Sequence, residues 1–272
     1  DPDGDGPEGV PVRPKDPKVE KIPATSLQGS DDDATYGHKG KGYQAQVAET
    51  CDPENEMEVV THVSVEGAHE SDQHATTVVL DDLESKGCKP ETLLADTNYG
   101  SGRNIVDAAQ RGVDLVSPSC GPKPKADEGG FILDDFMFSS DGERIEHCPM
   151  GQEPVEQGVC GKDRRYARMD ARRCGRCSWT GRCPARRSDR ATTVTLTWSP
   201  SGGATSARRY RERTKEFKDG YRLRSGIEAT NSEYKRPYGG GRLRVRGSPA
   251  VARTVKFKFM ALNIRRWTKP AR

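Results

Sequence analysis

Residues 221–235, YRLRSGIEATNSEYK, decide how the rest of the chain is read. Taken as a helix, the stretch puts Arg224, Glu228, Asn231 and Lys235 at steps of four, three and four, within one narrow stripe. Tyr221 joins that stripe from one turn earlier. Beside it runs a second stripe, Leu223, Ile227, Thr230 and Tyr234, at the same steps, as in a helix that packs one flank on a core. A carboxylate is thereby presented next to a buried face, with an arginine one turn before it and a lysine two turns after. Glu228 is the first catalytic candidate. The plain alternative is a solvated charged face with one Arg224–Glu228 pair, worth about 0.3–0.5 kcal/mol.

Upstream, GYQAQVAE (42–49) and EVVTHVSV (58–65) alternate apolar and polar residues, the mark of half-buried strands, and the polar CDPENE between them reads as a turn. Residues 71–86 place Ala75, Val78, Val79 and Leu83 at helical steps and end at Gly87, a C-cap. TLLA (92–95) is a short buried strand that runs into Asp96 and the turn residues Asn98, Gly100 and Gly102. A helix over 103–111 and a strand over 113–117 complete the unit. This alternation predicts an α/β layer sheet. Open α/β sheets bind ligands outside the carboxyl ends of their strands, which makes Asp96 the second candidate. A turn former or helix N-cap is the ordinary use of an Asp in that place.

The gaps from Tyr221 to Arg224, Glu228 and Lys235 resemble the YREK signature of DDE transposases of bacterial insertion sequences. LLADTNYGS (93–101) resembles the segment around the second aspartate of those enzymes. DDDATYGHKGKGY (31–43) resembles the DPDA segment and Gly-Tyr strand that precede it. The resemblance implies an α/β fold with a ribonuclease-H-like mixed sheet flanked by helices, and a site in which two Asp and one Glu hold two Mg2+ ions. Such a pair of metals stabilises the attacking and leaving oxygens of an in-line phosphoryl displacement. Asp96 and Glu228 are then metal ligands and catalytic residues, and Tyr221, Arg224 and Lys235 contact DNA near the cut. The partners implied are transposon ends and target DNA, and the pairing of ends implies a homodimer.

Composition agrees with a nucleic-acid partner. The 272 residues carry a net charge of +3, but residues 161–272 hold 31 Lys and Arg against 8 Asp and Glu, a net +23, and residues 1–160 a net −20. Clustered cations neutralise phosphates and release condensed counterions. Only 32% of residues are hydrophobic, with 29 glycines and 18 prolines, and mean hydropathy is −0.87, so long loops share the chain with a modest core. No run of about 18 apolar residues is present and no signal peptide is evident, which predicts a cytoplasmic, nucleoid-associated protein with no membrane partner.

Residues 1–30 read as a flexible leader, rich in Pro, Gly, Asp and Lys. Residues 31–117 form the first part of the catalytic domain, 118–207 a Cys-rich insertion in which periodicity stops, and 208–272 the last part. The insertion holds Cys148, Cys174, Cys177 and Cys183, which can supply four thiolates to a tetrahedral Zn2+; Cys160 could replace one of them. Many transposases of this group carry a Cys-rich insertion between the second aspartate and the glutamate. Cys51, Cys88 and Cys120 read as small core residues. After the helix, GGGRLRVRG offers Arg242, Arg244 and Arg246 to a DNA strand. Residues 249–267 form a helix whose Val251, Val255, Phe259 and Leu262 face the sheet.

One departure from the family pattern concerns the first aspartate, which belongs to a central first strand upstream of the DPDA segment. The leader offers no such strand. The expectation is therefore a fragment truncated at its N-terminus, lacking its first strand and first catalytic Asp, inactive alone and marginally folded. Asp31, Asp32 and Asp33 are the substitutes at hand. A non-enzymatic, zinc-stabilised DNA-binding module and a nuclease that cuts without joining are the competing readings.

Overall fold

The computed structural model describes residues 31, 33–37, 40–125, 129–161, 163–187 and 192–268; the leader and Asp32 lie outside them. The alternating residues after Gly40 form an antiparallel hairpin, β2 (Gly40–Glu49) with β3 (Val60–Gly67), and β1 (Thr35–Gly37) pairs with the start of β2. A 3-10 turn over Asp72–His74 leads into α1 (Ala75–Ser85), which buries Ala75, Thr76, Val79, Leu80 and Leu83. Val78, expected on that inner face, is 48% exposed. It lies about 100° round the helix from Val79, and Leu80 completes the i, i+3, i+4, i+7 stripe with Thr76, Val79 and Leu83 in its stead.

β4 (Thr92–Leu94) and β5 (Asp114–Val116) run parallel, joined through α2 (Gly102–Gln110), because parallel neighbours need a crossover. Their core contains Leu80, Ile105, Ala108, Val113, Leu115 and Ala204.

The segment expected to lack periodicity is in fact built of strands. β6 (Met137–Phe138) pairs with β7 (Ile145–His147). β8 (Glu156–Val159), β9 (Arg165–Asp170), the short α3 (Ala171–Gly175), β10 (Arg186–Arg187) and β11 (Thr193–Trp198) follow, and the strands make an antiparallel sheet in the order β10-β11-β9-β8. Ala167, Met169, Val194, Leu196 and Trp198 point inward from β9 and β11 against Phe136, Phe138 and Ile145. TVTLTW is a period-two strand pattern in its own right. Cys51 and Cys120 are only half-buried and Cys88 is exposed, so none of the three is the core residue expected.

α4 (Pro200–Arg211) starts with Ser199 accepting from Gly202 N–H and Pro200 in the first turn, and it crosses the 207/208 boundary drawn from sequence. It lies close against α2: a Cβ at Gly102 would stand 2.0 Å from the Ser201 carbonyl oxygen, so only glycine permits the approach. The single helix expected from Tyr221 onward is interrupted. α5 (Lys215–Tyr221) passes through a 3-10 turn, Arg222–Ser225, into α6 (Gly226–Lys235). Gly220 and Gly226, poor helix formers, flank the break. In the flank expected to pack, Thr230 and Tyr234 are buried, Ile227 is half-buried and Leu223 is 39% exposed.

α7 (Ser248–Thr268) covers the hairpin. Val251, Val255, Phe259 and Leu262 pack with Val60, Tyr43, Val47, Val63 and Val65, and Tyr234 stacks on Phe259 at 4.3 Å. Asn263 donates to the Val60 carbonyl at 2.8 Å and accepts from Val60 N–H at 2.9 Å, satisfying both backbone groups of one residue on β3. Asp31 accepts from Gly247 N–H and Asp33 from Ser248 N–H, placing negative charge at the positive end of α7.

The architecture is mixed α/β. The single mixed sheet expected from sequence is divided: among the described residues, β1-β2-β3 and β4-β5 are separate sheets. No helix among those residues is long and apolar enough to cross a membrane.

Candidate active site

Asp96 stands two residues beyond the end of β4. Its Oδ1 accepts from Thr97 N–H at 2.7 Å, capping a 3-10 turn over Thr97–Tyr99, and its carbonyl oxygen accepts from Ser117 Oγ at 2.6 Å. The capping role weighed in the sequence is therefore present, and it engages one carboxylate oxygen of an exposed residue. The turn is fixed from below: Tyr99 OH donates to Gln46 Oε1 at 2.5 Å, and Gln46 Nε2 donates to Glu66 and Asp72. Gln46 is buried, and Asp72, Glu66 and Asp96 surround Tyr99. Burial and those carboxylates push the Tyr99 phenol well above its usual range. The sequence reading missed this support. Gln44 and Gln46 at alternate positions of β2, the first of them opposite Glu66, were its visible signal.

Glu228 sits in the first turn of α6, and its side chain is 66% exposed. Arg224 Nη2 donates to Glu228 Oε1 at 3.1 Å. The Arg224 guanidinium lies over the Tyr221 ring at 5.9 Å, and Tyr221 stacks on Phe217 at 5.8 Å. Tyr221 is also the link to Asp96. Burial raises its phenol pKa, the Arg224 charge opposes that rise, and the Asp96 carboxylate adds to it. Contacts thus run from Phe217 through Tyr221 and Arg224 to Glu228 across the break, and the Asp96 charge is felt at Tyr221.

Lys235 is exposed at the end of α6, and Arg242, Arg244 and Arg246 are exposed in the loop after it. Arg246 faces Asp31, whose carboxyl is pushed up by burial but held lower on balance by hydrogen bonds from Tyr43 and Gly247, with Arg246 contributing. Asp31 and Asp33, the substitutes at hand for a first catalytic aspartate, accept from backbone N–H groups at the α7 N-terminus.

The oxygen donors of Asp96 and Glu228 suit a hard cation such as Mg2+. Among the described residues no group of three or more His, Cys, Asp or Glu side chains converges as a ligand set. The same holds for Cys148, Cys174, Cys177 and Cys183, all half-buried. They are nonetheless neighbours: burial first, then Cys148, Cys183 and Cys177, push the Cys174 thiol up to about 11.

A cleft of about 400 Å3 opens elsewhere, lined by Ile105, Val113, Asp114, Asp141, Arg208 and Arg211 among others. Asp114 begins β5, so the cleft lies at the opposite end of the parallel pair from Asp96, and the strand-end rule favours the Asp96 end.

The geometry offers a mixed α/β fold with an exposed carboxylate at a strand end and an exposed carboxylate paired with Arg224. Residues 147–268, somewhat less than half of the chain, match the family model for the transposase DDE domain. The matched segment holds Glu228 and the four cysteines and excludes Asp96. No curated protein and no solved structure matches the chain. The family's substrate is DNA, and its work is the cleavage and transfer of DNA in transposition.

Proposed function

We propose that this chain is part of an insertion-sequence transposase of the YREK type, in which Asp96 and Glu228 hold Mg2+ at one edge of a ribonuclease-H-like sheet. The family match of the segment that holds Glu228 carries the proposal; the contacts from Tyr221 through Arg224 to Glu228, with the Asp96 charge felt at Tyr221, support it. Bound there, the cations would activate the attacking oxygen and stabilise the leaving one. Tyr221, held between Phe217 and Arg224, orients the DNA backbone beside the carboxylates. Arg224 and Lys235 neutralise phosphates, and Arg242, Arg244 and Arg246 follow the strand outward. Residues 31–117 and 208–272 make up the catalytic part, and residues 118–207 the insertion, which zinc on Cys148, Cys174, Cys177 and Cys183 would close. The protein works in the cytoplasm on the nucleoid, as a homodimer that pairs two DNA ends.

The ribonuclease-H-like reading calls for a single sheet, which β1-β2-β3 and β4-β5 do not form among the described residues. Among the described residues, β2 from Tyr43 to Glu49 has a partner strand on one edge only, and β4 has one only in β5. A strand between these edges would unite the two sheets and could carry the remaining carboxylate. None of the described residues forms a strand in that place.

Iron-generated hydroxyl-radical cleavage tests the metal site without requiring activity. Fe2+ in place of Mg2+ should cut the polypeptide near both residue 96 and residue 228, and Asp96→Asn should weaken both cuts. Cleavage at one position alone would separate the two carboxylates and remove the proposal. Strong Mg2+-dependent DNA cutting by the 272 residues, abolished by Asp96→Asn, would remove the need for a further strand.

A further inference from the structure

α7 has two apolar faces on opposite sides. Val251, Val255, Phe259 and Leu262 are buried on the hairpin, whereas Phe257, Met260, Ile264 and Trp267 are 57%, 52%, 51% and 75% exposed. Steps of three, four and three put these four on successive a and d positions of a heptad, a seam about 15 Å long. Contiguous apolar surface of this kind marks an interaction site rather than scattered exposure.

Charge selects the occupant. The helix SPAVARTVKFKFMALNIRRWT contains five basic residues and no acidic one. Lys258 donates to the Tyr238 carbonyl, Arg265 pairs with Glu233 and Arg266 with Glu49. Arg253 and Lys256 have no ion pair among the described residues. Arg253 extends the seam one turn before Phe257, and Lys256 flanks it. In a two-fold antiparallel pair of α7 helices, with Met260 across from Ala261, Lys256 would face Arg265 of the second copy. In a parallel pair two Arg253 side chains would meet at the seam. Either pairing opposes like charges. DNA would satisfy the two cations but would set Phe257, Met260, Ile264 and Trp267 against a polyanion.

We propose that the outer face of α7 docks an amphipathic helix of a partner protein, with an apolar a/d seam and carboxylates at the flanking positions. This docking is independent of the metal chemistry proposed above.

The test is calorimetric titration of the full chain with a synthetic peptide of about three heptads, Leu at a and d and Glu at e and g. A counterpart with Lys at e and g serves as the contrast, and sedimentation velocity follows self-association. The Glu peptide should bind saturably, about ten-fold or more tighter than the Lys peptide. Ile264→Glu should abolish this binding and Lys256→Glu should weaken it. Both variants should keep the parent circular dichroism spectrum and melting temperature, since both positions are exposed. Equal affinity for the two peptides, or no binding of either, overturns the proposal. So does self-association, or duplex DNA binding, that Ile264→Glu abolishes.

Discussion

Glu228 Oε1 accepts from Arg224 Nη2 at 3.1 Å, so the carboxylate proposed to hold a metal already has a cation beside it. Metal and guanidinium compete for one oxygen. An exposed pair of this spacing is worth about 0.3–0.5 kcal/mol, roughly a two-fold effect on an equilibrium. Arg224→Gln is therefore expected to tighten Mn2+ binding about two-fold in an electron paramagnetic resonance titration. The same variant should reduce the salt slope of DNA binding by about 0.9, the contribution of one phosphate contact. An unchanged Mn2+ affinity would argue that Glu228 is only a helix-surface charge.

The Glu49 side chain, 4% exposed, accepts from Arg266 at 3.1 Å and from Thr230 at 2.5 Å, tying β2, α6 and α7 together. Removing one partner of a buried pair leaves an uncompensated charge at a cost of about 3–5 kcal/mol. Arg266→Ala should lower the urea midpoint accordingly without changing the slope. A loss below about 1 kcal/mol would place the pair among weak surface interactions.

Asp114 supplies a pH dependence. Burial raises its carboxyl pKa, but the Arg211 hydrogen bonds and the charges of Arg211 and Arg208 prevail and hold it below its ordinary 3.8. With the folded value depressed, the contribution to stability is fully present above 3.8 and is lost as pH falls through the lower folded value. Melting temperature followed from pH 7 down into that range should fall less steeply for Asp114→Asn, and the variant should be less stable than the parent at pH 7. Parallel acid limbs would assign the fall to other carboxylates.

Cys174 and its neighbours set an expectation for zinc. With the thiol pushed up to about 11, Cys174 stays protonated at neutral pH without metal, so zinc must displace its proton. Purified protein should contain about one zinc per chain, bound more weakly as pH falls. Chelation should lower the melting temperature, and Cys174→Ser should abolish that response. Metal analysis that finds none removes the zinc knot.

The value of Val255 and Phe259 is testable by truncation. Both are buried between α7 and the hairpin, 3% and 2% exposed. Phe259→Ala should cost about 3–5 kcal/mol, because the stacked Tyr234 cannot fill the cavity. A cost under about 1.5 kcal/mol in chemical denaturation would show α7 to be loosely seated.

The parts of the fold that were legible have a period long enough to detect. The β2–β3 alternation, the α1 and α7 stripes and the strand running into Asp96 each repeat a simple spacing over several residues. The insertion sheet was missed although Val194, Leu196 and Trp198 alternate cleanly, because the cysteines and arginines on either side suggested a metal-closed coil. The break at Arg222–Ser225 was hidden because a 3-10 turn preserves near neighbours: Arg224 still reaches Glu228. Support from a distance was illegible for another reason. Gln46 reaches Tyr99 and Glu49 reaches Arg266 across 53 and 217 residues, and no local spacing encodes such pairs. In Asp96 itself, the turn-capping role and the proposed metal role are compatible, since capping engages one of two oxygens.

The clamp of Asn263 on Val60 spans 203 residues. On a ribosome adding roughly 5–20 residues per second, the hairpin would wait about 10–40 s for its covering helix to be made. Through that interval Val47, Val63 and Val65 face water on a nascent polypeptide, a window for chaperone capture or for aggregation. Slower translation of the last codons would lengthen it, so the yield of folded protein should depend on how quickly the final helix is delivered.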